Sequence, residues 1–312
     1  MRSLLDAITL LLARTLARVF YRSVEVTGLE NVPADGPVLF VANHANSLVD
    51  PLLLYARLPR HARFLAKSTL WKNPLLMPIL VLAGAVPVYR RQDGTDMSKN
   101  QDTFAKCFEE LAGGGAIALF PEGISYHAPE LQPLKTGAAR IALGASREGA
   151  DTPVPVVPVG LTFEDKTRFR SRALLVVGEP IDPSRFATGD EREDARALTE
   201  EIKAGLEQTT LNFPTWERAQ IVAHAASILA GPTSSLPGQP ELAHHFSVRR
   251  AMGEAYDEVH TKHPERVARI EQCAERYDGM LSALGLRDDH VTAEYPFEHA
   301  LTYVTDRLAV LP

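Results

Sequence analysis

Residues Val38-Leu-Phe-Val-Ala-Asn-His-Ala-Asn-Ser-Leu-Val-Asp-Pro51 open with five apolar side chains in a row and turn polar at Asn43. A run without alternation offers no face to water, so it reads as a strand buried on both sides. Asp50-Pro51 then reads as a helix start leading into Leu52-Leu-Leu-Tyr55, with the aspartate as cap and the proline in the first turn. Strand, polar turn, helix is the opening unit of an α/β fold. The theme repeats outward. Arg63–Ala66, Ala85–Tyr89, Ala116–Phe120, Val154–Phe163 and Ala173–Val177 are β-type runs. Helical stretches lie between them, notably Asp102–Leu111, stopped by Gly113-Gly-Gly115, and the alanine-rich Leu134–Glu148, stopped by Gly149. The expected architecture is α/β, a mixed sheet flanked by helices. In such sheets the strand ends feed the loops that build a site.

The expected organisation has three parts: an amphipathic helix at 1–22, an α/β domain at 23–189 and a helical extension at 190–312. Leu4 to Phe20 is mostly aliphatic, yet Arg14, Arg18 and Arg22 recur along one stripe. A spanning helix needs about 20 apolar residues without such charges, and no small-residue cleavage site marks a signal peptide. Two readings remain, and they do not exclude each other. The helix lies in the headgroup region of a membrane with its arginines toward lipid phosphates, or it docks on the domain's own core. Pro74–Val88 is too interrupted by Pro78, Gly84 and Pro87 to span, and it reads as a buried helix followed by a strand. Beyond Pro183, Asp190–Thr210 carries one apolar face through Leu198, Ile202 and Leu206. Gln220–Leu229 follows, then a Pro/Gly/Ser loop at Gly231–Pro240, then helix again to Leu284.

With 312 residues and 45% hydrophobic content, the chain can bury a substantial core. A net charge of −6 argues against a general nucleic-acid binder. Cys107 and Cys273 are far apart, without metal-type spacing or a nearby histidine. That points to a reduced, cytoplasmic compartment and away from a thiol nucleophile. No Gly-x-Ser-x-Gly elbow supports a serine hydrolase.

His44 and Asp50 supply an imidazole and a carboxylate that could orient it. Residues six apart lie about 240° around an α-helix. The two can therefore meet only if His44 sits in the turn before the helix and Asp50 in its first turn. Capping and orienting the imidazole are compatible roles for that aspartate. Arg90, beside Arg91 at a strand end, is either a solvated surface charge or a bidentate phosphate ligand. Lys67 and Lys135 could add charge to the same pocket. Phe120-Pro-Glu-Gly123 leaves a strand through a turn whose glycine permits an unusual backbone angle. Glu122 there could accept hydrogen bonds from a hydroxyl, while Pro158 and Gly160 shape their strand.

Taken together, Asn43-His44 with Asp50, Gly84 with Arg90, Phe120-Pro-Glu-Gly-Ile-Ser125 and Val157-Pro-Val159 resemble the four motifs of the glycerolipid acyltransferases. These are the glycerol-3-phosphate and 1-acylglycerol-3-phosphate O-acyltransferases. The resemblance covers roughly residues 35–182, and Lys135-Thr-Gly137 is similar to the lysine-x-glycine after the family's third motif. Five residues separate His44 from Asp50 where the family usually has four, and Ile124 stands in the usual threonine place. That longer spacing, and Leu198-Thr-Glu-Glu-Ile-Lys-Ala-Gly-Leu206, resemble the branch containing fungal-type glycerol-3-phosphate/dihydroxyacetone-phosphate acyltransferases.

The resemblance implies His44 and Asp50 as catalytic residues, and Asn43, Lys67, Arg90, Glu122, Gly123, Lys135 and Pro158 as substrate-binding residues. It implies direct transfer of an acyl group from acyl-CoA or acyl-carrier protein to a phosphate-bearing acceptor, without metal or redox cofactor. It also implies a place on the cytoplasmic face of a membrane. Acylation of another lysophospholipid or alcohol is an alternative within catalysis. A lipid-binding or membrane-scaffold protein of the same fold is an alternative outside it.

Overall fold

The structure is a computed structural model that describes residues 2–90, 93–147, 153–230 and 242–285. Arg91, the end of the helix at Glu148-Gly149, the loop at 231–240 and the chain past 285 lie outside these residues. The described chain divides into two compact units after Ala219.

The first unit is built on a seven-stranded sheet. Its strands are β1 (Tyr21–Thr27), β2 (Val38–Ala42), β3 (Ala62–Lys67), β4 (Val86–Val88), β5 (Ala116–Leu119), β6 (Val156–Phe163) and β7 (Ser171–Val177). They lie in the order β1-β7-β6-β2-β5-β3-β4. All neighbours are parallel except β6 and β7, which makes the sheet mixed as expected. β2, at the centre, is fully buried along its length. Val38, Phe40 and Ala42 face one core with Leu53 and Leu54. Leu39 and Val41 face the other, with Ile117, Ile141 and Leu198. This two-sided burial is the physical reason for the unbroken apolar run.

Helices α1 (Arg2–Phe20) and α2 (Val49–Arg57) cover the first core. A short α3 (Met77–Leu82) precedes β4. Helices α4 (Asn100–Ala112), α5 (Gly137–Arg147) and α6 (Glu191–Thr209) cover the second core. α6, the first helix of the expected extension at 190–312, packs on α5 and β6. The change to a charged composition marks only the outer face of α6. Its inner face, Leu198, Ile202 and Leu206, is buried in the sheet's own core. In addition, a Cβ at Gly160 would lie 1.8 Å from the Thr209 carbonyl oxygen, so the end of α6 reaches β6 only because position 160 is glycine.

Of the two apolar segments, α1 docks on the core, one of its two expected readings, whereas α3 departs from expectation. α1 seats Ala13 and Ala17 against the core, and Arg14 Nε donates to the Ala56 carbonyl, 3.3 Å away. The Arg57 guanidinium is held below its ordinary range by burial, then by the neighbouring charges of Arg18 and Arg14. The arginines thus border α2, and Ile8, Leu11, Leu12, Val19 and Phe20 point away from the core. Docking small residues lets the two helices approach closely, which turns the large aliphatics outward. α3 is a helix followed by a strand, as expected, but it is not buried. Leu75, Met77, Ile79 and Val81 around it are exposed, Leu75 at 79%. α1 and α3 lie against each other. No helix among the described residues is long and apolar enough to cross a membrane.

Helix α7 (Trp216–Ala230) runs across the division, and the second unit adds α8 (Leu242–Lys262) and α9 (Pro264–Leu284). Within it α8 packs on α9, and Tyr256 donates its hydroxyl to Glu271.

Candidate active site

β3, β4, β5 and β6 all run parallel to β2 or to a strand already parallel to it, so five strands end on one edge of the sheet. The chain leaves β2 through Asn43-His44, β3 at Lys67, β4 through Tyr89-Arg90, β5 through Phe120–Gly123 and β6 toward Lys166. Topology alone therefore brings residues from five separate parts of the sequence to one rim.

His44 sits in the turn before α2, and Asp50 sits in the first turn of α2. Their side chains meet, with Nδ1 2.8 Å from Asp50 Oδ2. The helix begins at Val49 behind a Leu48 cap, slightly earlier than Asp50-Pro51 suggested, and Asp50 makes no capping bond. Its Oδ2 instead accepts from the Asn46 backbone N–H at 2.7 Å, which folds the turn around the carboxylate. Five intervening residues fit because Ser47 takes a left-handed backbone, φ 44°, rare for a residue with a side chain. Ser125 stabilises that conformation, its hydroxyl accepting the Ser47 N–H at 3.0 Å.

The rest of His44 is held just as firmly. Its backbone N–H donates to Glu122 Oε1 at 2.7 Å, and its carbonyl accepts the Tyr126 N–H at 3.0 Å. Its ring stacks on Phe120, centroids 4.0 Å apart and planes 13° apart. Asp50 is fully buried, and its Oδ1 has no hydrogen-bond partner among the described residues. With Nδ1–H given to Asp50, the proton-accepting nitrogen is Nε2, to which no described residue bonds. Tyr21 lies beneath the turn, and Asn46 Nδ2 donates to its hydroxyl at 3.4 Å. Burial, then the Asp50 charge, pushes that phenol up to about 12, so it remains neutral.

Glu122 is buried, 6% exposed, and both its oxygens are committed. Oε1 holds His44, and Oε2 accepts the Gln132 N–H at 3.0 Å. Burial pushes its carboxyl up, opposed by those two backbone donors. In the described structure Glu122 forms a strut between β5 and the histidine. Asn43 is a brace as well: its amide donates to the Leu161 carbonyl at 3.0 Å and accepts the Leu161 N–H at 2.7 Å, joining β2 to β6. Pro158 is buried inside β6, its carbonyl accepting the Gly178 N–H, and it faces the sheet's core rather than the rim. Gly123 has φ 68°, and a Cβ there would meet Lys135 Nζ at 2.6 Å.

Arg90 is half-buried, and its guanidinium is largely occupied. Nε and one terminal nitrogen donate to Asp93 at 2.8 and 3.0 Å, and the other terminal nitrogen donates to the Gly123 carbonyl at 2.6 Å. Asp93 is held below the usual carboxylate range first by the Arg90 hydrogen bond, with Lys67 and Lys135 contributing charge. Arg90, Lys67 and Lys135 therefore do gather in one place, around an internal anion. Two residues of the rim carried no sequence signal. Lys166, seven positions beyond Val159, and His127, two beyond Ser125, are paired at 2.9 Å.

The acyltransferase family model matches residues 23–162. The chain is 30% identical over 196 residues to glycerol-3-phosphate O-acyltransferase 2 of Saccharomyces cerevisiae, covering 62% of this chain and 26% of that protein. It is 28% identical over 185 residues to a 1-acyl-sn-glycerol-3-phosphate acyltransferase of Bacillus subtilis, covering 59% of this chain and 87% of that protein. The solved 1-acyl-sn-glycerophosphate (LPA) acyltransferase of Thermotoga maritima superposes with a TM-score of 0.47 at 25% identity, over 64% of this chain and 78% of that one. The chain spans between about a quarter and about half the length of the fungal relatives it matches. Strands β2 to β5, the turn after β2 and the histidine–aspartate pair fall within the segment that resembles the acyltransferase family.

Proposed function

We propose that the chain is an O-acyltransferase of glycerolipid synthesis, moving a fatty acyl group from a thioester donor to a hydroxyl of a glycerol-phosphate acceptor. The acceptor is glycerol-3-phosphate or its 1-acyl derivative, and the donor is acyl-CoA or acyl-carrier protein. The observation that carries this reading is the His44–Asp50 pair. It is a ring fixed at four points, with Nδ1 2.8 Å from a buried carboxylate and Nε2 left for a substrate. His44 Nε2 takes the acceptor's hydroxyl proton as the oxygen attacks the thioester carbonyl. The new C–O bond forms, the C–S bond breaks, and the same proton passes from the imidazolium to the departing thiolate. Asp50 holds the tautomer and stabilises the imidazolium while it lasts, as in the serine hydrolase triads. The acceptor hydroxyl stands where such hydrolases use an enzyme serine, so no covalent intermediate, metal or redox cofactor is invoked.

Lys67, Lys135 and the N–H groups that Arg90 has left make the rim electropositive, which favours a phosphate-bearing acceptor. The exposed aliphatics of α1 and α3 support a place on a membrane surface, where the acyl chains of substrate and product reside. Two unpaired thiols fit the reducing, cytoplasmic face.

The test is thiol release from acyl-CoA by the purified chain with glycerol-3-phosphate, its 1-acyl derivative, dihydroxyacetone phosphate and phosphate-free monoacylglycerol. Release that requires a phosphate-bearing acceptor, with the acyl ester recovered as product, supports the reading. Release that ignores the acceptor, or none with any of them, overturns it.

A further inference from the structure

Arg90 was the natural phosphate ligand from the sequence, yet three of its N–H groups point at Asp93 and Gly123. On the opposite flank of His44 the situation is reversed. β6 neighbours β2 on the side away from β5, and its exit loop carries Lys166. The Lys166 ammonium is half-buried, and among the described residues it bonds to the ring of His127, Nζ to Nδ1 at 2.9 Å. No carboxylate among the described residues lies within ion-pair distance of it, although Asp50 and Glu122 are near enough to act on its charge. Burial pulls this ammonium below the ordinary lysine range, first, and those two carboxylates push back. The His127 imidazole is held low by burial and by Lys166, so it stays neutral and accepts the bond. A partly desolvated cation whose bonded partner is neutral is short of an anion.

The position is built rather than incidental. On one side of Lys166, Asp165 Oδ1 accepts from the Thr167 N–H and hydroxyl, at 2.8 and 2.7 Å. On the other, the Arg170 N–H donates to the Phe20 carbonyl at 2.8 Å, and the Ser171 hydroxyl to the Asp165 carbonyl at 2.6 Å. The partner is fixed too. His127 packs on Trp216, ring centroids 4.4 Å apart, and follows Tyr126, whose N–H holds the His44 carbonyl.

We propose that Lys166 is the residue that binds the acceptor's phosphate in this site, with His127 steadying its ammonium. The choice of acceptor over donor follows from reach. Only a three-carbon backbone separates the acceptor's hydroxyl from its phosphate, whereas a thioester donor carries its phosphates at the far end of a long arm. Lys166 leaves the strand beside β2 and is bonded to His127, the residue after the Tyr126 that holds the His44 carbonyl, which matches the short span. This inference rests on the acyl-transfer reading of the site and adds the residue that selects its acceptor.

The experiment compares wild type with Lys166→Gln and Lys166→Arg. Lys166→Gln should raise the KM for glycerol-3-phosphate or its 1-acyl derivative by roughly tenfold or more, with the donor KM changed less than about twofold. The loss should fall on acceptor KM more than on kcat, and Lys166→Arg should recover most of it. Inorganic phosphate binding to the full chain, measured by calorimetry, should weaken in Lys166→Gln without any need for turnover. An unchanged acceptor KM, a rise in the donor KM instead, or unchanged binding of inorganic phosphate overturns the assignment. If wild type is inactive with every acceptor, the acyl-transfer reading fails. If wild type is active and Lys166→Gln matches it, only the lysine's role fails.

Discussion

The loop that leaves β2 keeps the Nε2 of His44 available, whereas the loop that leaves β4 commits Arg90 to Asp93 and to the Gly123 carbonyl. Both stand on one edge of the same sheet, and both carry a residue whose type suggests chemistry. What separates them is where the hydrogen bonds go. In the β2 loop, backbone groups are tied down by Glu122, Tyr126 and Ser125, so the reactive ring atom need not serve the fold. In the β4 loop the side chain itself ties the fold together. A charged residue at a strand end is thus a ligand for substrate only to the extent that its donors are unspent.

Asp50→Asn should break the contrast most severely. The amide cannot hold the imidazole in the same tautomer, and acyl transfer should fall by about a thousandfold or more. The readout is kcat/KM with both substrates near saturation in turn, alongside a thermal melt to confirm folding. Glu122→Gln tests the strut. Two backbone N–H groups would then face one carbonyl oxygen and one NH2 group, displacing His44, so kcat should drop roughly ten- to a hundredfold while KM values move little. Arg90→Ala sharpens the comparison from the other side. If the guanidinium is mainly a brace, Tm should fall by several degrees and both KM values should rise together, by less than about tenfold. A rise confined to the acceptor would return Arg90 to the role of phosphate ligand. The smallest effect on chemistry is expected from the paired change Leu12→Glu and Leu16→Glu on α1. Turnover of water-soluble substrates should change less than about twofold, while flotation with phospholipid vesicles is lost.

Much of the first unit was legible because burial leaves a local mark. β2, β5 and β6 are apolar without a break since both their faces are covered, and the Asn43–Pro51 turn announced its own geometry through the spacing of His44 and Asp50. β1 escaped notice because Tyr-Arg-Ser-Val-Glu-Val-Thr is half polar and follows a helix without a break. α6 was assigned outside the domain because its charged face dominates its composition, while three buried aliphatics decide where it packs. Asn43 and Glu122 were expected to touch substrate. Their actual partners, Leu161 and the His44 and Gln132 N–H groups, depend on strand order, which no short window of sequence contains. Lys166 was invisible for the same reason, since only the antiparallel return of β7 aims the loop after β6 along the rim.

His44→Ala puts the proposed proton transfer to the most direct test, with acyl-CoA thiol release measured beside wild type at a temperature where both remain folded. The account predicts a loss of about a thousandfold in acceptor-dependent turnover, in line with removal of a positioned base. A variant that retains activity within a few-fold of wild type would show that the imidazole does not carry the proton.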